Sequence, residues 1–151
     1  MTTPNPTQSR MKSAPPRPKL LLADSELRTS RRLAALLSED GFEVEVVRDG
    51  ALAMARLAES APDAVVTELD LPLADGGQVV RFARSHWPGI RVVVVTRYPH
   101  LAKLKGVGDP VPTLITKPLD YASLLEALRA PAPVRNSGAP AASIKPAGAR
   151  W

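Results

Sequence analysis

Asp24, Ser25, Glu68, Thr96 and Lys117 are the residues of this chain best placed to do chemistry, because each stands at or just past the end of a short apolar run. Acids of this kind bind oxygen-seeking cations, while a hydroxyl and an ammonium suit the oxygens of a phosphoryl group. Singly they say little: threonine ends many strands, and Ser25 is a natural helix cap. Brought together they would form a crevice for a cation and a phosphoryl group. Elsewhere the chain offers less. His86 and His100 fall on different elements without acidic or cysteine partners, which argues against a metal pair. No glycine-rich phosphate loop follows the first strand and no nucleophile elbow is present, which disfavours a nucleotide-binding enzyme on the same fold.

The elements that must position these residues are legible in the hydrophobic pattern. Residues 19–24, 42–47, 63–68, 90–96 and 113–116 read as strands one to five, being short, β-branched or alternating. Between them lie amphipathic stretches. Ser25 is expected to cap a helix running to about Asp40, with Leu33, Leu36 and Leu37 inward and Gly41 as its stop. Asp49-Gly50 turns into a helix whose inner face is Met54, Leu57 and Ala58. Gly76-Gly77 precedes a third, with Val79, Phe82 and Ala83 inward and Pro88-Gly89 at its end. Prolines and glycines between Pro99 and Pro112 leave room for about two helical turns. Asp120 caps the last helix, which should bury Leu124, Leu125 and Leu128.

Five β-α units in about 112 residues demand a mainly parallel sheet with helices on both faces. The expected architecture is α/β and flavodoxin-like, a doubly wound sheet of order 2-1-3-4-5, with function at the carboxyl ends of its strands.

Composition sets the limits. Of 151 residues 44% are hydrophobic and 23% charged, ordinary for a globular domain. The longest apolar runs, such as 90–95, are strand-sized and far short of the roughly 18 residues of a membrane span. There is no cysteine, hence no disulfide scaffold and no thiolate chemistry. With no apolar stretch before Pro18, the expectation is a cytoplasmic protein without a secretory signal. The net charge of +5 divides unevenly. Residues 1–18 carry Arg10, Lys12 and Arg17 among five prolines, residues 131–151 carry Arg135, Lys145 and Arg150 among four, and neither holds an acid. Both are expected to be disordered arms around a domain of residues 19–130, serving at most as electrostatic tethers, with Trp151 as a possible anchor. The domain itself is close to neutral, so no nucleic-acid face and no membrane surface is expected. Arg31-Arg32 reads as a solvated helix face.

Over residues 19–130 the chain resembles the receiver domain of bacterial two-component response regulators. The resemblance rests on Leu22-Ala-Asp-Ser-Glu26, on Pro62-Asp63 leading to Glu68-Leu-Asp-Leu-Pro72 with Gly76 beyond, on Thr96, and on Lys117-Pro118. It implies a module of phosphorelay signalling, not an enzyme in the usual sense, in which a histidine kinase passes a phosphoryl group to an aspartate with magnesium bound. It also implies that Glu68 occupies the phosphoacceptor position. Thr96 and Lys117 match the switch hydroxyl and the phosphate-sensing lysine, and Lys117-Pro118 resembles a bond that is cis in the family. Asp24 and Asp70 fall where the family holds its metal.

Four departures from that pattern matter. Glu68 replaces the acceptor aspartate, Ser25 replaces a metal-binding acid, Arg97 stands where a small residue is usual, and Leu114 replaces an aromatic reporter. Magnesium demands near-ideal octahedral oxygen geometry, so losing one carboxylate and lengthening another implies weak or absent binding and no other cofactor. Glu68 then acts either as a built-in phosphoryl mimic or within a frozen Lys-Arg-carboxylate network, with Arg97 reaching Glu68 or Asp70. The expected function is an atypical receiver that binds a protein partner, a histidine kinase or a downstream regulator, independently of phosphorylation. The alternative is a phosphorylatable receiver using magnesium and a nearby acid such as Asp70. The family signals through its fourth helix, fifth strand and fifth helix, a face altered here by the prolines and glycines before Pro112 and by Leu114.

Overall fold

The computed structural model describes residues 16–99 and 111–131. The expected arms and His100 lie largely or wholly outside those residues, as does most of the stretch between the fourth and fifth strands. Five strands form the sheet: β1 (Lys19–Ala23), β2 (Glu43–Val47), β3 (Ala64–Glu68), β4 (Arg91–Thr96) and β5 (Thr113–Thr116). Their order is β2-β1-β3-β4-β5 and every pairing is parallel. This is the flavodoxin-like α/β fold expected from the sequence. Four helices lie among the described residues: α1 (Leu27–Glu39), α2 (Gly50–Glu59), α3 (Gly76–His86) and α4 (Tyr121–Arg129).

Because side chains alternate across a strand, the Val- and Leu-rich runs build two half-cores. Leu21, Val65, Val92 and Val94 pack with Ala53 and Leu57 of α2 and Val79, Val80 and Ala83 of α3. Leu20, Leu22, Val66, Val93 and Val95 pack on the other face with Leu33 and Leu37 of α1 and Leu124 and Leu128 of α4. Each fully buried Leu or Val contributes roughly 1.5–3 kcal/mol relative to exposure. The helix faces correct the sequence reading in detail. Leu36 and Ala58 are exposed, and Met54, Phe82 and Leu125 only partly buried, because Ala53, Val80 and Ser30 hold the central inward positions.

Helix starts follow the acids. Asp49 accepts the Leu52 N–H at 2.7 Å, and Asp120 accepts from Ser123. Asp75 forms a reciprocal capping box with Gln78, which draws Gly76 and Gly77 into the first turn of α3 rather than leaving them before it. Gly41 ends the α1 turn at a φ of 101°, a conformation only glycine adopts cheaply.

Candidate functional site

The parallel register carries the chemistry to one place. Ala23 pairs with Thr67, Glu68 with Val95, and Thr96 with Thr116, so the residues that end or follow these strands share one end of the sheet. Asp24, Glu68 and Lys117 converge there. The Asp24 N–H donates to the Val47 carbonyl, and the Lys117 N–H to the Thr96 carbonyl, which anchors both side chains at their backbones. Gly76 is needed beside them. A Cβ at that position would lie 2.5 Å from the Glu68 carbonyl oxygen and 2.8 Å from the Leu69 Cα, both backbone atoms. Glycine alone lets α3 begin this close to the end of β3.

The centre of the site is the Lys117 ammonium, whose side chain is only 9% exposed. It donates to Glu68 Oε1 at 2.9 Å, to Glu26 Oε1 at 3.1 Å and to Asp24 Oδ2 at 3.4 Å. An ammonium has three donors, and all three are turned onto carboxylates. The second oxygen of Glu68 accepts from the Ser25 hydroxyl at 2.9 Å and the Ser25 N–H at 3.2 Å. Asp24 Oδ1 accepts the Glu26 N–H at 2.8 Å. Arg97 reaches across the mouth to Glu26 Oε1 at 2.9 Å.

Charge follows geometry. Burial alone would raise the Glu68 carboxyl, but the hydrogen bonds from Lys117 and Ser25 outweigh it and hold the group below its ordinary range. Glu26 is held low by Lys117 and then by Arg97. Asp24 moves the other way: its burial dominates, the nearby Glu68 charge adds to it, and the Glu26 N–H and Lys117 only partly offset them. Burial would lower Lys117, yet Glu68, Glu26 and Asp24 keep it above the usual lysine range.

Several expectations change. Ser25 does not cap α1; the N-cap is Glu26, with no side-chain cap bond, because both side chains are turned into the site. Thr96 is buried, and its Oγ1 accepts the Tyr98 N–H at 3.0 Å, a bond within its own loop. Arg97 does reach the crevice, but onto Glu26 and not Glu68 or Asp70. Asp70 is exposed two residues past β3 and stands outside the converging acids. The Lys117-Pro118 bond is cis. Glu26 joins the site unforeseen by strand-end reasoning; the signal for it in the sequence is an acid two residues after Asp24, in Asp-Ser-Glu.

Oxygens of Asp24, Glu26 and Glu68 lie within 4.8 Å of one another, a donor set of the type magnesium takes. The fit fails on arrangement. The oxygens facing inward already converge on an ammonium, so these residues do not fit a divalent ion as they stand.

A parallel 2-1-3-4-5 sheet with an acid-and-lysine crevice at its carboxyl end defines a class, and comparison with known proteins agrees. The family model for the response regulator receiver domain matches residues 20–129. The chain belongs to that family. It is 29% identical over 113 residues to the response regulator MprA of Mycobacterium sp. strain KMS, covering 74% of this chain and 49% of that protein. The chain thus spans about half the length of the curated relatives it matches. Among solved structures, a response regulator receiver protein from Sinorhizobium medicae WSM419 superposes with a TM-score of 0.67 at 32% identity, over 74% of this chain and 90% of that one. The signal receiver domain of an HD domain-containing protein from Pseudomonas fluorescens Pf-5 gives 0.69 at 31%, over 78% and 88%. No helix among the described residues is long and apolar enough to cross a membrane.

Proposed function

We propose that this chain is an atypical receiver that signals by binding a protein partner in one fixed conformation, without phosphorylation at Glu68. The observation that carries the reading is the Lys117 ammonium, spent on Glu68, Glu26 and Asp24. By resemblance this lysine stands where the family senses the phosphoryl group. Here one Glu68 oxygen accepts from Lys117 and the other accepts twice from Ser25. Hydrogen bonds to charged groups contribute about 1.5–3 kcal/mol each. Two of them from Lys117 are of the order of the roughly 5.5 kcal/mol that separates a 1:99 from a 99:1 equilibrium. That supports the frozen network over the mimic, since the glutamate acts as one member of a ring rather than as a phosphate seeking its sensors.

The partner is a histidine kinase or a downstream regulator, and the module works in the cytoplasm, readings that rest on the family and on the absence of cysteine from the sequence. Leu114 on β5 is exposed and gives an apolar contact on the side through which receivers signal.

The test is incubation with a small acyl-phosphate donor and magnesium, followed by intact mass and acid-lability measurements. The expected result is an unmodified protein. Stoichiometric acid-labile labelling would overturn the reading. Labelling that vanishes in Asp70→Asn would replace it with a phosphorelay receiver accepting on Asp70.

A further inference from the structure

We propose that Lys117 and Arg97 together take the place of the divalent ion in this crevice, so that the loops after β1 and β4 are cross-linked by the protein's own charges. The inference deepens the reading of a fixed receiver and rests on it. Glu26 is the joint. Its Oε1 is shared by the Lys117 ammonium at 3.1 Å and the Arg97 guanidinium at 2.9 Å. Through that one oxygen the loop after β1 is tied both to the residue after β5 and to the residue after β4. A metal ion bridging strand-end carboxylates would make the same kind of connection. Here it is made by two cations that cannot leave.

The charge balance supports the substitution. Three carboxylates face two permanent cations, a net −1, whereas a vacant cluster would present −3 to an ion. Magnesium accepts oxygen ligands in an octahedron and parts with water reluctantly, and an ammonium 2.9 Å from Glu68 competes with it for the carboxylate oxygens it would need. Ser25 closes the remaining approach. Where a further acid would have added a ligand, its hydroxyl and N–H occupy the second oxygen of Glu68. Arg97 contributes from the outside: its side chain is 56% exposed and pairs with Glu26 at 2.9 Å over the mouth, adding a second positive charge to the cluster.

The experiment measures Mn2+ binding, with Mg2+ as competitor, by the loss of the free-ion paramagnetic resonance signal in the full chain. The wild type is expected to show no saturable binding in the millimolar range. Lys117→Ala, which leaves three carboxylates facing only Arg97, should bind at least about tenfold more tightly, the factor that 1.4 kcal/mol represents. Arg97→Ala should gain in the same direction by a smaller factor. Adding Glu26→Gln to Lys117→Ala should remove the gain. Because Lys117→Ala can fail to fold, its circular dichroism is checked first, and Arg97→Ala, an exposed position, carries the test alone if it does. Saturable wild-type binding that Asp24→Asn abolishes would overturn the proposal, as would the absence of gain in every folded variant. The outcomes separate from those of phosphodonor labelling. A wild type that binds Mn2+ but stays unlabelled refutes only the internal cation, and one that is labelled without saturable Mn2+ binding refutes only the unphosphorylated reading.

Discussion

Replacing Lys117 by methionine keeps most of the side-chain volume and removes the ammonium from three carboxylates. The Lys117, Asp24 and Glu68 side chains are 9%, 8% and 11% exposed, so this is a nearly buried ionic cluster. Deleting one partner of a buried pair leaves the others uncompensated and typically costs about 3–5 kcal/mol. The lower end applies here. The Asp24 contact is long at 3.4 Å, and Glu26, 43% exposed, can turn to water. The expected loss is therefore about 3 kcal/mol at neutral pH, read from urea unfolding curves. The pH dependence carries a definite sign. The Glu68 carboxyl is held below its ordinary 4.5 in the folded protein, so its contribution is fully present above that value and fades as the pH falls through the folded one. The difference between wild type and Lys117→Met should begin to shrink above 4.5, where the orphaned acids of the variant take up protons, and go on shrinking as the pH falls through the folded value of the wild type. A loss under about 1 kcal/mol that stays flat with pH would mean the cluster behaves like an exposed surface pair, and the reasoning would fail.

Three further outcomes are expected elsewhere. Gly76→Ala should destabilise by about 1–3 kcal/mol in the same unfolding assay, since its Cβ would press on the backbone of Glu68 and Leu69. Leu73 is exposed at a φ of 70°, a left-handed conformation costly for leucine, so Leu73→Asn should stabilise by about 0.5–1 kcal/mol. The Tyr121 phenol is pushed up to about 12 by burial and by its bond to Asp40, so its ultraviolet titration, isolated against Tyr121→Phe, should run well above 10.0.

The strands were legible in the sequence because β-branched runs have few other uses. Val92 to Val95 are buried on both faces as a central parallel strand requires. The convergence of Asp24, Glu68 and Lys117 was legible for the same reason: a parallel ladder brings strand ends to one side. What lay beyond the ladder was not. Glu26 sits in a loop, and its direction depends on Ser25 abandoning the helix cap for Glu68, a competition that spacing alone cannot decide. Asp70 lies two residues past β3, where the register no longer sets which way a side chain points. Helix faces slipped by a residue, with Leu36 and Ala58 outward, because propensity marks a helix more sharply than its phase.

The ionic ring itself is tested most directly by a carbon-13 NMR titration of the Glu68 side-chain carboxyl. In the wild type its inflection is expected below 4.5, and in Lys117→Met it should move upward as burial acts without its counter-charge. An inflection at or above the ordinary value, unmoved by the loss of Lys117, would show that the lysine does not hold Glu68 in solution.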